Sequence, residues 1–320
     1  MIALSSRHGG RAEPFIGAST LEAAAPFSVP AVAAPGVSAG VLTTPAPAGP
    51  ARVVDLGTLG GIFSIAHRIN AHGQVIGTAT TAADDGHAFR WTPSAGMTDL
   101  GTLGGTASIA DGINAHGQVA GSATTAAGDC HAFRWTPSGG MTDLGTLGGT
   151  HLGGTSSSAV DINALGQVAG TAATAAGHYH AFRWTPSGGM TDLGTLGGTS
   201  SVAAGINALG QVTGNAQTAA GDDHAFRWTP SAGMTDLGTL GGTASVADGI
   251  NARGQVTGNA QTAAGDNHAF RWTPSAGMTD LGILDGTYPY SFAYGINAHG
   301  QVTGTAKTAA GETHATLCRG

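Results

Sequence analysis

Short runs of alternating apolar and polar residues recur along the chain from Arg52 onward. In the first complete unit they cover residues 64–70, 74–79, 87–91 and 97–100. Runs of this length and alternation predict β-strands. The residues between them form turns, because Gly73 accepts a positive φ and Pro93 has no N–H to continue a strand ladder. The pattern therefore predicts four strands joined by short turns.

This four-strand unit repeats with a period of 44 to 49 residues. The stretch HAFRWTPSAGMTD begins at His87 and recurs nearly unchanged at His131, His180, His224 and His268, and a shortened copy begins at His314. Four strands in about 44 residues are typical of one blade of a β-propeller. The sequence predicts an all-β fold over residues 52–320, a six-bladed β-propeller of four-stranded blades, with a solenoid of the same units as the alternative.

The two ends of the repeat region favour a closed ring over a solenoid. Residues 53–57 have the sequence of a fourth strand, and residues 314–318 have the sequence of a third strand. Pairing these two segments would complete a sixth blade. Closure removes exposed strand edges, whereas a solenoid gains nothing from such a permuted arrangement. We therefore predict that strand 53–57 pairs with strand 314–318 and closes the propeller.

Recurring residues within the unit predict how blades pack. Small Ser and Ala residues alternate in the first strand, as at Ser64 and Ala66, which suits the crowded axis of a ring. The glycine at Gly77 and its equivalents predicts a close backbone approach in the second strand. Phe and Trp of HAFRW are expected to fill the space between blades. The turn at residues 93–96 is also expected to bring Arg90 beside Asp99 as a cross-strand ion pair.

Composition limits the remaining possibilities. Residues 1–51 are rich in Ala, Pro and Gly and predict a flexible leader or linker. The net charge is −7, only 10% of residues are charged, and no basic cluster is present, so nucleic-acid binding is not expected. No apolar run is long enough to span a membrane. Cys130 and Cys318 fall in different blades, so we expect no disulfide between them. We also expect the chain to be a monomer.

The strings HAFRW, MTDLGTLGG and IN-x-x-GQV, in this order, resemble the bacterial HAF repeat, a family described as probable extracellular repeat proteins. The resemblance covers about residues 52–318. It implies an extracellular or cell-surface protein, and it implies no activity. Residues 1–50 contain no clear signal peptide, because Glu13, Glu22 and several prolines interrupt the apolar stretch that export requires.

The repeated motifs themselves do not predict a catalytic or metal site. A histidine present in every blade lies far from most of its copies and cannot join them around one metal ion, so a structural hydrogen bond is its expected role. The acidic residue two positions before most of these histidines adds only a second ligand, which is too few for a metal site. GTLGG lacks the features of a phosphate-binding loop, and no nucleophile motif is present. No metal or other cofactor is therefore expected.

The repeat pattern breaks most strongly in blades 1 and 6. Ring closure would make these blades neighbours and bring their irregular residues into one sector beside the central mouth. Aromatic rings with a few polar partners suit a small ligand. The candidate ligand-binding residues of this blade 6/blade 1 sector are Phe63, His67, Arg68, Asp285, Tyr288, Tyr290, Phe292 and Tyr294. The alternative is that they only lock the two ends of the ring together.

Three classes of function remain open. The first is a non-enzymatic extracellular or surface-associated scaffold that binds a glycan, peptide or protein at the blade 6/blade 1 sector. The second is a hydrolase or lyase that uses the central mouth, with His67, Arg68, Asp285 and the tyrosines as candidate groups. The third is a purely structural repeat protein. Catalysis would need an acid or base within hydrogen-bond reach of a common point, so the placement of His67 and Asp285 separates the first two classes.

Overall fold

The computed structural model describes residues 53–148, 155–284 and 288–319, and within them it contains six antiparallel sheets. Each sheet corresponds to one repeat, so the all-β prediction and the six blades are confirmed. The predicted leader, residues 1–51, lies outside the described residues. Five sheets have four strands, and the sixth has three.

The strands follow the chain in order within every blade. Blades 1 to 3 comprise β1 (Gly60–Ile69), β2 (Val75–Thr81), β3 (Gly86–Thr92) and β4 (Gly96–Asp99); β5 (Gly104–Ile113), β6 (Val119–Thr125), β7 (Cys130–Thr136) and β8 (Gly140–Asp143); β9 (Ser157–Ile162), β10 (Val168–Ala173), β11 (Tyr179–Thr185) and β12 (Gly189–Asp192). Blades 4 to 6 comprise β13 (Gly197–Ile206), β14 (Val212–Thr218), β15 (Asp223–Thr229) and β16 (Gly233–Asp236); β17 (Gly241–Ile250), β18 (Val256–Thr262), β19 (Asn267–Thr273) and β20 (Gly277–Asp280); β21 (Ser291–Ile296), β22 (Val302–Lys307) and β23 (Thr313–Cys318).

Local sequence explains the hairpins. Between β1 and β2, the Asn70 carboxamide accepts the backbone N–H groups of His72 and Gln74 at 3.0 Å, and Gly73 adopts a φ of 71°. The glycine predicted to allow close approach does so, because a Cβ on Gly77 would overlap the carbonyl oxygen of Ile65. Any larger residue at this position would separate the first two strands of the blade.

The hydrophobic core lies between successive blades. Between blades 1 and 2, Phe133 packs against Ala88 and Leu100, with Trp135 and Met141 beside it. Phe133 is fully buried, and burial of such a side chain contributes about 1.5–3 kcal/mol. The same arrangement recurs at the following interfaces. Neighbouring first strands contact one another in sequence from β1 to β21, which makes them the inner strands of the propeller.

Two hydrogen bonds tie each blade to the next. The hydroxyl of Ser108 accepts the N–H of Ala88 at 2.8 Å, so the predicted small residues of the first strand also join blades. The side-chain amide of Asn70 donates to the carbonyl of Asn114 at 2.9 Å. This second bond is repeated from blade to blade by Asn114, Asn163, Asn207 and Asn251, and the last of these reaches Asn297. We call this series the asparagine ladder.

The predicted pair between Arg90 and Asp99 is wrong. Asp99 lies opposite Phe89 in the β3–β4 pairing, so it shares a face with His87, and the Nδ1 atom of His87 is 2.9 Å from the Asp99 carboxylate. Arg90 points to the opposite face because adjacent residues of a strand alternate. Its guanidinium donates to the carbonyl of Gly117 at 3.2 Å and lies 5.0 Å from the ring centre of Trp135 in blade 2.

Ring closure through residues 53–57 is not confirmed. Residues 53–58 form no strand, and among the described residues β23 pairs with β22 alone. Ala66 of β1 is exposed, whereas its equivalent Ala110 is fully buried against a neighbouring blade. β23 also differs from the other third strands, since Thr316 and Cys318 stand where those strands have Phe and Trp.

Candidate functional site

The most variable position on the inner strands is a β-bulge that recurs in every blade. The strand register shifts directly after the recurring alanine of each first strand (Ala66 in blade 1, Ala110 in blade 2) and leaves one extra residue there. A bulge re-aims a side chain and is frequent beside functional sites. The bulge residues are His67, Asp111, Val160, Ala204, Asp248 and Tyr294. A constant scaffold therefore presents six different positions around the inner strands, and four of them carry an ionisable or aromatic side chain.

His67 and Arg68 of blade 1 lie close to Asp111 of blade 2. The Nδ1 atom of His67 is 2.8 Å from the carbonyl oxygen of Ala110, so this nitrogen donates a hydrogen bond to the inner strand of blade 2. Burial raises the pKa of the Asp111 carboxyl, and the charges of His67 and Arg68 oppose that rise. The bulges of blades 1 and 2 thus form an electrostatically coupled pair.

Asp161 extends this polar group to blade 3. Its carboxylate accepts the N–H of Ile162 at 2.9 Å and the N–H of Ile206 in blade 4 at 3.2 Å. Burial raises the pKa of Asp161, whereas the Ile206 hydrogen bond and the charge of Arg68 lower it. Blade 2 lies between Arg68 and Asp161 in the blade order, so the two charges act on each other across the inner side of the propeller. The charge of Arg68 thus lowers the pKa of two carboxyl groups from two different blades.

Asp248 and Tyr294 occupy the same bulge in blades 5 and 6. The Asp248 side chain remains accessible to solvent, yet desolvation by the surrounding protein raises the pKa of its carboxyl to about 6. The ring of Tyr294 is 59% exposed, and its hydroxyl is 3.1 Å from the Thr305 hydroxyl. These blades add an acid that titrates near neutral pH and an accessible aromatic ring.

The structure places the predicted ligand-binding residues on two separate sets of strands. Phe63, His67 and Arg68 lie on β1, and Phe63 is 53% exposed. Phe292 and Tyr294 lie on β21, with Tyr288 and Tyr290 immediately before it. No hydrogen bond, ion pair or aromatic contact among the described residues joins the β1 set to the blade 6 set. Asp285, the remaining candidate, lies outside the described residues.

The blade 6 aromatic residues form a small surface of their own. The Lys307 ammonium lies 5.4 Å from the ring centre of Tyr288, and Tyr290 and Phe292 line a shallow pocket together with Lys307. A cation beside exposed aromatic rings can contact a polar ligand through both charge and ring faces.

Sequence reasoning missed Asp111, Asp161 and Asp248. These acids lie outside blades 1 and 6, and the sequence prediction of a site was based on the irregular residues of those two blades. The available signal was a comparison of repeats position by position: Asp111 and Asp248 stand at the variable position of His67, and Asp161 stands at the position of Arg68, where four blades have glycine.

The repeated histidines have the structural role predicted for them. In the five complete copies, Nδ1 lies within 3.0 Å of the carboxylate of an aspartate on the fourth strand of the same blade, in the pairs His87–Asp99, His131–Asp143, His180–Asp192, His224–Asp236 and His268–Asp280. In the shortened copy, Nε2 of His314 is 3.5 Å from the Glu312 carboxylate. Nowhere in residues 53–148, 155–284 and 288–319 do three His, Cys, Asp or Glu side chains come together as a metal site. Cys130 and Cys318 are free thiols. No helix in these ranges is long and apolar enough to cross a membrane.

No family model and no curated protein matches the sequence, but solved structures share its fold. The β-propeller domain of the Trilobed protease from Pyrococcus furiosus, described as having an open velcro topology, is 8% identical; the match covers 80% of this chain and 82% of that one with a TM-score of 0.51. A prolyl endopeptidase is 9% identical over 80% of this chain and 42% of its own, with a TM-score of 0.52. TolB from Acinetobacter baumannii is 11% identical over 77% of this chain, which spans 63% of that protein, with a TM-score of 0.45. At these identities the likeness concerns the fold alone, and the fold is a β-propeller.

Proposed function

We propose that this β-propeller is a non-enzymatic binding module that holds a glycan or a short peptide at the inner-strand bulges. One observation carries the proposal: the bulge in every blade has the same backbone position, and it carries five different residue types in six blades. Residues that vary on a constant scaffold are suited to recognising one particular ligand. Structural repeats need no such variation.

The chemistry of the bulges fits a ligand with several polar groups. Arg68 offers a planar set of donors to a carboxylate or to hydroxyl groups. Asp111 and Asp248 offer acceptors, and the exposed rings of Phe63 and Tyr294 offer apolar faces. A few placed polar groups beside aromatic rings are the usual composition of a small-ligand site.

We further propose that residues 53–57 pair with β23 and close the ring. The proposal is supported by the turn at Asp55, whose carboxylate accepts the Gly57 N–H at 2.9 Å, as the Asp99 carboxylate accepts the Gly101 N–H at 2.8 Å. The hydroxyl of Ser64 also donates to the Gly57 carbonyl at 2.7 Å, in the same way that Ser108 donates to Gly101. The segment therefore has the local conformation of the connections between blades.

Closure would also complete the bonds that join blades elsewhere. The N–H of Ala315 would donate to Ser64, and the side chain of Asn297 would donate to the Asn70 carbonyl, extending the asparagine ladder into a circle. His314 would meet Asp55 as His87 meets Asp99. The blade 6 aromatic residues would then join His67 and Arg68 in the blade 6/blade 1 sector, and the site would include both predicted sets.

The proposed location is extracellular or at the cell surface. The resemblance to HAF-repeat proteins is its support, and the repeat strings that carry the resemblance lie within the propeller. Cell fractionation with an antibody against the chain tests this proposal. Recovery of the chain only from the cytoplasm would refute it.

Glycan and peptide arrays probed with the purified chain test the binding function. We expect Arg68→Ala to weaken the detected interaction at least tenfold, because Arg68 supplies the donors proposed to meet the carboxylate or hydroxyl groups of the ligand. Arg253→Ala, in an exposed turn of blade 5, is the matched control and should bind like the wild type. Absence of binding on both arrays, or equal binding by the Arg68 variant, would exclude the proposed site.

A hydrolase or lyase is the second candidate, and one observation favours it. The Asp248 carboxyl has a pKa raised to about 6, which suits proton transfer near neutral pH. Turnover of chromogenic glycosides and peptides, lost in Asp248→Asn, would support this candidate. Array binding without turnover would support the non-enzymatic module.

A further inference from the structure

A cavity of about 270 Å³ lies between blades 5 and 6, away from the inner-strand bulges. Its wall includes Ala269, Leu281, Ile283, Leu284, Thr316 and Cys318. Most of these side chains are apolar, and the cavity opens to the surface beside Leu284 and Leu317, which are 50% and 51% exposed.

The same space is filled by a phenylalanine ring at the other interfaces. Between blades 4 and 5, Phe270 packs against Ala225, Leu237 and Ala260, and it is fully buried. The equivalent wall between blades 5 and 6 consists of Ala269, Leu281 and Ala306. The equivalent of Phe270 is Thr316, which is several carbon atoms shorter. The cavity therefore occupies the position that a phenylalanine ring fills at the equivalent interface.

Missing side chains leave this cavity open, and retained backbone contacts fix its walls. Cys318 replaces the tryptophan of HAFRW, and within the described residues blade 6 has no fourth strand to bring a methionine to the interface. The blade 5/6 contact nevertheless keeps its hydrogen bonds, since the N–H of Ala269 donates to Ser291 at 2.9 Å and Ser291 donates to Gly282 at 2.6 Å. The surrounding backbone is thus fixed as it is where the ring is present.

We propose that this cavity is a binding site for a molecule containing a single aromatic ring, with phenol as the simplest probe. An apolar cavity of about 150 Å³ stays dry and binds benzene, so a space of this size and lining can accommodate a substituted ring. The ring would restore the contacts that Phe270 makes with its own wall, and the ligand would reach the cavity past Leu284 and Leu317. The missing ring belongs to position 316, and no residue of 53–57 is part of the cavity wall.

Titration of the full chain with phenol, followed by calorimetry, tests the proposal. We expect saturable binding with one site per chain. Thr316→Phe should fill the cavity, reduce phenol binding at least tenfold and raise the unfolding midpoint. Thr316→Val, which keeps the cavity and the approximate side-chain volume, should bind like the wild type.

A second variant tests the same idea by gain of function. Phe270→Thr should create an equivalent cavity between blades 4 and 5 and raise the stoichiometry from one phenol to two. Phe270→Thr in the Thr316→Phe background should move the single site to the other interface. No saturable phenol binding by the wild type, or unchanged binding by Thr316→Phe, would overturn the proposal. Arg68→Ala should bind phenol normally, so failure here and failure of the bulge site can be told apart.

Discussion

Replacement of Ser201 by Ala should destabilise the propeller strongly, although it removes a single oxygen atom. Ser201 is 1% exposed and joins blades 3 and 4. Its hydroxyl accepts the N–H of Ala181 at 2.9 Å and donates to the carbonyl of Gly194 at 2.6 Å. Ala181 is fully buried, so its N–H has no access to water when the hydroxyl is removed.

The magnitude follows from the two groups left without a partner. A buried donor or acceptor that loses its hydrogen bond costs about 1–3 kcal/mol. The Ala181 N–H is fully buried, whereas the Gly194 carbonyl is only partly buried, so we expect a loss of about 1–3 kcal/mol or somewhat more for Ser201→Ala. That is a large part of the typical 5–15 kcal/mol for a folded domain. Urea unfolding followed by tryptophan fluorescence measures the change in free energy of unfolding. A loss below about 1 kcal/mol would refute the assignment of Ser201 as an inter-blade hydrogen-bond partner.

Ser64→Ala is the matched comparison, and it reports on ring closure. In the described structure Ser64 is exposed and donates only to Gly57, so an open ring predicts a loss of about 0.5–1.5 kcal/mol. If Ala315 donates to Ser64 as Ala181 donates to Ser201, the two variants should lose similar free energies. A small loss for Ser64→Ala beside a large loss for Ser201→Ala would contradict closure through residues 53–57.

Two further predictions concern a glycine and a titratable carboxyl. Gly214→Ala should cost about 3 kcal/mol or more in urea unfolding, because its Cβ would overlap the Val202 carbonyl. Gly86→Ala, where the Cβ meets only Thr78 at 3.8 Å, should be close to neutral, and equal losses would refute the steric argument. Between pH 3.8 and about 6 the folded chain holds the Asp248 proton more tightly than the unfolded chain, so stability from this group falls as pH rises. Asp248→Asn should remove that fall from the urea midpoints, and an unchanged pH profile would contradict the raised pKa.

The fold was predictable because its determinants are local and repeated. These determinants are strand length, turn residues such as Gly73, and the close-approach glycine at Gly77. Each acts within one unit, and each recurs in five or six units. Side-chain partners were less predictable. Spacing alone suggested an ion pair between Arg90 and Asp99. The strand register instead places Asp99 opposite Phe89, on the face where it contacts His87. A shift of one residue in register exchanges the two faces of a strand, and sequence spacing does not determine that shift.

The candidate site was predictable only in part, for a different physical reason. His67, Arg68 and Tyr294 were found because they interrupt a pattern. Asp111 and Asp161 were not, because their interest comes from burial and from a charge on another blade, and both are properties of the folded chain. The cavity beside Thr316 was hidden in the same way, because a shortened side chain becomes a cavity only where its neighbours stay in place.

The asparagine ladder gives the stack of blades a direction. Each asparagine from Asn70 to Asn251 donates to the blade that follows it. At one end of the series the Asn70 carbonyl accepts the Gly73 N–H of its own turn but, among the described residues, no side chain of another blade; at the other end is the side-chain amide of Asn297. These ends are complementary, and contacts of this head-to-tail kind form closed rings when the rotation between units fits and filaments when it does not. An unclosed chain could thus join a second copy through the same bonds that join its own blades. Closure within one chain would therefore favour a discrete propeller over a filament of many copies.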